Sequence, residues 1–177
     1  MRFTTKTAAR AAALVGIMAA TVECAKLALA SLPNIEAVTL LIAAYSFVFG
    51  PLGILASIIF VLIEPLIWGF GTWFLSYLLY WPTLALVFAA LGRRGKEVGK
   101  IFPAVVAILL TVWFGILSSL VDVGLFAGVW ERFFERFFIY YLRGVPFYAL
   151  QVATNAVIFP LLFKPITKLL YKIKSRI

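Results

Sequence analysis

The chain has 177 residues, 64% of them hydrophobic and only 13% charged, with a formal net charge of +9. So few charges exclude an ordinary soluble domain. The basic residues flank apolar stretches instead of forming a patch on a soluble face, which excludes nucleic acid as the partner. The length fits one domain, 1–177. The single cysteine, Cys24, allows no disulfide within the chain.

A spanning helix needs about 20 apolar residues, somewhat fewer where the bilayer thins. The first predicted span runs from Thr7 to Leu32 and is closed by Pro33-Asn34. A basic start and an apolar centre also suit a signal peptide, but Glu23 and Lys26 stand where a small-residue cleavage site belongs, so the segment reads as a retained helix. Residues 35–49 and 52–68 form the second and third predicted spans. They are parted by Gly50-Pro51-Leu52-Gly53, where Pro51 lacks an amide and both glycines tolerate unusual dihedrals. After the Gly69-Phe70-Gly71 break the fourth span covers 72–91, the fifth 101–123 and the sixth 146–163. Pro103 and Pro146 fall in first turns, where proline is tolerated.

Between the last two spans, Trp130, Phe133, Phe134, Phe137, Phe138 and Tyr141 recur at helical spacing, opposite Glu131, Arg132, Glu135 and Arg136. This predicts an amphipathic helix within 125–145 lying in the outer interface, either as an aromatic anchor or as a lid.

Charge orients the bundle. Every lysine and arginine except Lys26, Arg132, Arg136 and Arg143 falls in one of three blocks: Arg2–Arg10, Arg93–Lys100 and Lys164–Arg176. Six spans put all three blocks in the cytoplasm together with both termini, whereas five spans strand at least one block outside. The expected fold is an all-α integral membrane bundle of six helices.

On the first helix Ala8, Ala12, Gly16 and Ala20 are spaced four apart, and Ala9 and Ala13 form a parallel row. Small residues at this spacing let a second helix backbone approach closely, either inside the bundle or from a partner. This row, the six short spans, the basic cytoplasmic side and the aromatic outer side together resemble the substrate-binding S component of energy-coupling factor (ECF) vitamin transporters. The strings Leu32-Pro33-Asn34-Ile35-Glu36 and Trp68-Gly69-Phe70-Gly71-Thr72-Trp73 are similar to those of a subgroup of these proteins. The resemblance implies a small protein of the bacterial cytoplasmic membrane that binds a vitamin from outside. It also implies docking, through Ala8, Ala12 and Gly16, on a membrane T component carrying two ATPase subunits.

Ionisable groups inside spans are costly and so suggest function. Glu23 and Lys26, one turn apart, can pair with each other or wall a ligand site. Glu64, beside Pro65, can pair with Lys26 or bind ligand. Asn34 and Glu36 occupy the first outer loop, as turn and solvated residues or as ligand contacts, and Asp122 ends the fifth helix. Tyr148, Gln151 and Asn155 share one face of the sixth helix and need partners, whether another helix or a polar ligand. Trp68, near the outer end of the third span, and the stripe Trp73, Tyr77 and Trp81 provide flat aromatic walls suited to a ring, or simply an interfacial belt.

The chain has no phosphate-binding G-x-x-x-x-G-K-[ST] motif, so energy for transport is expected from a partner. With no histidine it also lacks a Cys/His metal set and a Ser-His pair. No catalytic residue, metal or cofactor is expected. The expectation is therefore a vitamin-binding importer subunit. Its rivals are a structural multi-span protein of the cell-wall elongation machinery and a membrane enzyme acting on lipids.

Overall fold

A computed structural model describes residues 5–32, 35–95, 98–126 and 132–176, so Asn34 lies outside the described residues. The described residues are helical and contain no strand. Seven α-helices follow one another: α1 (Thr5–Ala28), α2 (Val38–Phe49), α3 (Pro51–Trp68), α4 (Trp73–Arg94), α5 (Ile101–Val121), α6 (Phe133–Ile158) and α7 (Lys164–Lys174). In apolar surroundings a chain must bond its own backbone, and an apolar helix does so within itself. Among the described residues, five helical segments are long and apolar enough to cross a membrane: Thr7–Ala28, Pro51–Trp68, Trp73–Arg94, Ile101–Leu125 and Phe133–Lys174. The protein is thus built as a membrane protein.

Helix α2 is the exception, being 12 residues and so only about 18 Å long. Nearly all its side chains are buried, because it packs against α1, α3, α4 and α7. It is apolar all round because it is surrounded by protein rather than by lipid on one side. Its turn into α3 hinges on Gly50, whose φ of +58° and ψ of −118° admit little but glycine. Pro51 then opens α3 at a position where its missing amide costs nothing. The start of α2 (Thr39) and the end of α3 (Glu64) both come beside Lys26, so the two helices run antiparallel as a tight hairpin. Close packing continues on the far side of α2, where a Cβ on Gly92 of α4 would stand 2.0 Å from the Phe47 carbonyl oxygen.

Two boundaries differ from the sequence reading. The first helix stops at Ala28 instead of Leu32, and residues 29–37 form an irregular connection apart from the undescribed 33–34. The last span does not begin at Pro146. Helix α6 starts at Phe133 and passes through Pro146. A π-helical turn at Phe159–Phe163 carries it into α7, making a continuous 42-residue run. Proline inside a membrane helix is tolerated when neighbouring groups absorb the lost bond, and Pro160 lies within the wider π turn that accommodates it. Trp130 and Glu131 lie outside the described residues; the rest of the aromatic face expected of a separate interfacial helix forms the first turns of this rod. Phe137 stacks on Tyr141, Tyr141 meets Tyr148, and Tyr148 meets Phe114 of α5. The uncharged stretch 144–163 is about 30 Å long, close to the thickness of a hydrocarbon core.

The core contains Phe60, Phe88, Phe159, Met18, Leu40 and Leu84, all fully buried. At one end of the bundle lie Lys26, Glu64, Tyr77 and Gln151. At the other lie the Gly50 turn, the end of α4 and α7, where Lys174 Nζ donates to the Val48 carbonyl at the C-terminus of α2. A cation there offsets the negative end of the helix dipole.

Candidate ligand site

Because α2 is short, the connection 29–37 leads into its N-terminal end, and the space beside it is open. A cavity of about 180 Å³ lies there, lined by Leu29, Ala30, Leu32, Ile35 and Glu36 of the connection and by Val38 and Thr39 of α2. Lys26, Tyr77, Tyr80, Trp81, Thr111, Phe114 and Gln151 complete its wall. A second, more open hollow of about 330 Å³ adjoins it, lined by Lys26, Ala30, Glu64, Trp68, Trp73 and Tyr77. Lys26, Ala30 and Tyr77 line both, so the two spaces are adjoining lobes of one site.

Glu36 organises the connection. Its Oε2 accepts the Thr39 backbone N–H at 2.9 Å, and its Oε1 accepts the Thr39 hydroxyl. These bonds satisfy an otherwise orphaned amide at the start of α2. Burial pushes the Glu36 carboxyl above the usual carboxylate range, against the opposing pull of the Thr39 bonds and Lys26.

Lys26 is the central charge. Its ammonium pairs with Glu64 Oε2 on α3 and stands 5.2 Å from the Tyr77 ring centroid, 5.6 Å from Trp68 and 5.8 Å from Phe60. Those distances are within cation–π range. The Glu23–Lys26 pair allowed by sequence does not form, since Lys26 reaches α3 instead. Glu23 is 7% exposed and Glu64 1% exposed; apart from each other and Lys26, neither carboxyl group has a hydrogen-bond partner. Glu23 is close enough to Glu64 for their charges to act on each other.

The aromatic wall is continuous. Tyr77 meets Trp73 edge-on at 5.2 Å and Trp81 at 5.6 Å, while Tyr80 meets Phe114 at 4.8 Å. Trp81 Nε1 is buried and has no hydrogen-bond acceptor.

Of the residues expected at a site, Glu36, Trp81 and Gln151 line the first lobe, Glu64, Trp68 and Trp73 the second, and Tyr77 both. Three others fall elsewhere. The Tyr148 hydroxyl bonds Ser118 at 2.9 Å, and Asn155 Nδ2 donates to Thr111 at 3.0 Å, so both tie α6 to α5. Asp122 sits in the π-helical turn Asp122–Phe126 after α5 and lines neither lobe. Lys26, expected to pair with Glu23 or to wall the site, lines both lobes, and Thr39, Tyr80, Thr111 and Phe114 join the wall without having been singled out as contacts. Tyr80 and Phe114 could have been found from the helical phase, which carries them beside the Tyr77–Trp81 stripe and the Thr111–Ser118 face.

On the opposite half of α1, Ala8, Ala12, Gly16 and Ala20 are all exposed. A Cβ built on Gly16 would meet nothing within 4 Å. Among the described residues, no other helix covers this row. Compared with known proteins, the chain matches no family model, no curated protein and no solved structure.

Proposed function

We propose that this protein is the substrate-binding membrane subunit of an energy-coupled importer of the ECF type, taking up a vitamin-like, ring-containing micronutrient. One observation carries the reading: a two-lobed aromatic and polar cavity occupies one end of the bundle, while the uncovered small-residue row of α1 runs toward the other. Binding and docking are thereby separated along the membrane normal. On this reading all six helical segments cross the bacterial cytoplasmic membrane, the α2–α3 hairpin supplying two passes, and both termini face the cytoplasm. The basic blocks support this orientation, since Arg93, Arg94 and the lysines of α7 gather at the end away from the cavity.

Ligand enters from outside, its ring packs on Tyr77, Tyr80, Trp81 and Phe114, and Gln151 and the carboxyl groups meet its polar edge. A T component lies against Ala8, Ala12 and Gly16, and its two ATPases supply the work of reorienting the loaded subunit.

Gentle purification from the native host, followed by native mass spectrometry, tests the reading. The expected result is a retained small molecule together with a membrane partner and an ATPase pair. Ala12→Leu and Gly16→Leu are each expected to abolish partner retention while leaving the small molecule bound. A protein that retains neither ligand nor ATPase in any preparation overturns the proposal.

A further inference from the structure

Among the described residues, the acidic and basic side chains that line or back the two lobes are Glu23, Lys26, Glu36 and Glu64: three carboxyl groups and one ammonium. Glu64 lies on the second lobe and Glu36 on the first, with Lys26 between them. In this structure Lys26 is committed to Glu64. One ammonium cannot neutralise carboxylates in both lobes, and a buried carboxylate without a partner is costly. The structure records that crowding: the Glu23 and Glu64 carboxyl groups lie against each other, and apart from each other and Lys26 neither has a hydrogen-bond partner. The rings agree with the charges. Phe60, Trp68 and Tyr77 already surround a cation, and Tyr77 continues into the wall of the first lobe.

We propose that the site selects a cationic ligand, one whose positive charge sits on or beside an aromatic ring, and that Lys26 acts as a tethered stand-in for that charge. When the ligand arrives, its cation takes one carboxylate and Lys26 keeps the other. The lobe that receives the ligand is completed by faces able to hold a ring and a cation together. The inference rests on the ligand-site reading above and names the chemical class of what that site takes.

Three probes sharing one ring test it: 1-methylnicotinamide, which is a fixed cation, neutral nicotinamide, and anionic nicotinate. Equilibrium dialysis against the purified full chain in detergent reads their binding. The wild-type chain is expected to bind the cation at least tenfold more tightly than the neutral ring, and nicotinate most weakly. Lys26→Met removes the internal competitor and is expected to tighten cation binding at least tenfold. Glu36→Gln and Glu64→Gln are each expected to weaken it by a similar factor. If the Glu64 variant does not fold, the wild-type probe series and the Lys26 and Glu36 variants still decide.

Equal binding of all three probes, preference for nicotinate, weaker cation binding by Lys26→Met, or binding of none at millimolar concentration each overturns the inference. Cation binding by a chain that recruits no ATPase module sinks the importer reading and leaves this one standing. Import of a neutral or anionic vitamin has the opposite effect.

Discussion

Glu36 shows how one side chain serves both fold and site. It caps the start of α2 through Thr39 and presents its carboxyl to the first lobe. Burial raises its proton affinity in the folded chain. A carboxyl whose folded value lies above its unfolded one stabilises the fold fully below the ordinary carboxylate range. That contribution is lost as the pH rises through the raised value. Glu36→Gln keeps an acceptor for the Thr39 amide and removes the titration. The variant is therefore expected to melt at a temperature equal to or above that of wild type at neutral pH, with wild type gaining on it as the pH falls. Melting curves across that range check the sign, and a variant clearly less stable at neutral pH would show that the carboxylate earns its burial. This role was hidden in the sequence, where Glu36 could equally be a solvated loop residue. The partner of Lys26 was also undecided, because Glu23 and Glu64 were both within plausible reach and only the packing of α1 against α3 chose between them.

Among the elements, the α2–α3 hairpin sets the geometry of everything around it. Glycines at the turn and at the helix crossings leave no room for side chains: a Cβ on Gly92 would lie 2.0 Å from the Phe47 oxygen, and one on Gly53 would lie 2.5 Å from Ser46 backbone atoms. The obstacle in each case is backbone, which cannot swing aside. Gly92→Ala and Gly53→Ala are each expected to cost about 1–3 kcal/mol by overpacking, read as a lower unfolding midpoint in mild detergent. A change within error at either position would mean that the helices part more easily than their contact suggests. The break at Gly50-Pro51 was legible because glycine and proline act locally. The continuity of α6 through Pro146 was not, since proline in a first turn and proline in a membrane helix interior leave the same mark on the sequence. What separates them is the packing of Tyr148 against Phe114 of α5, a long-range contact.

On the scale of the whole molecule, apolar runs and charge blocks were enough to read an all-helical membrane bundle, because both are averages over many residues. Locating the cavity needed the third dimension: its lining comes from α1, the 29–37 connection, α2, α4, α5 and α6. The proposed sidedness is open to direct measurement. In a chain whose Cys24 is replaced by serine, Ser31→Cys is expected to react with a membrane-impermeant maleimide added to intact cells. Ser175→Cys is expected to react only after the membrane is breached. Reversed reactivity would turn the bundle over and with it the roles of its two ends.

The short central helix has one more consequence. A bundle whose middle member stops early is a fold with a notch in it, like an arch lacking its keystone. Whatever molecule fills that notch becomes part of the packing, so occupancy and rigidity should rise together. Stabilisation by a bound molecule grows with the logarithm of its concentration over its dissociation constant. Heat resistance of the isolated chain is therefore itself a gauge of which compound fits.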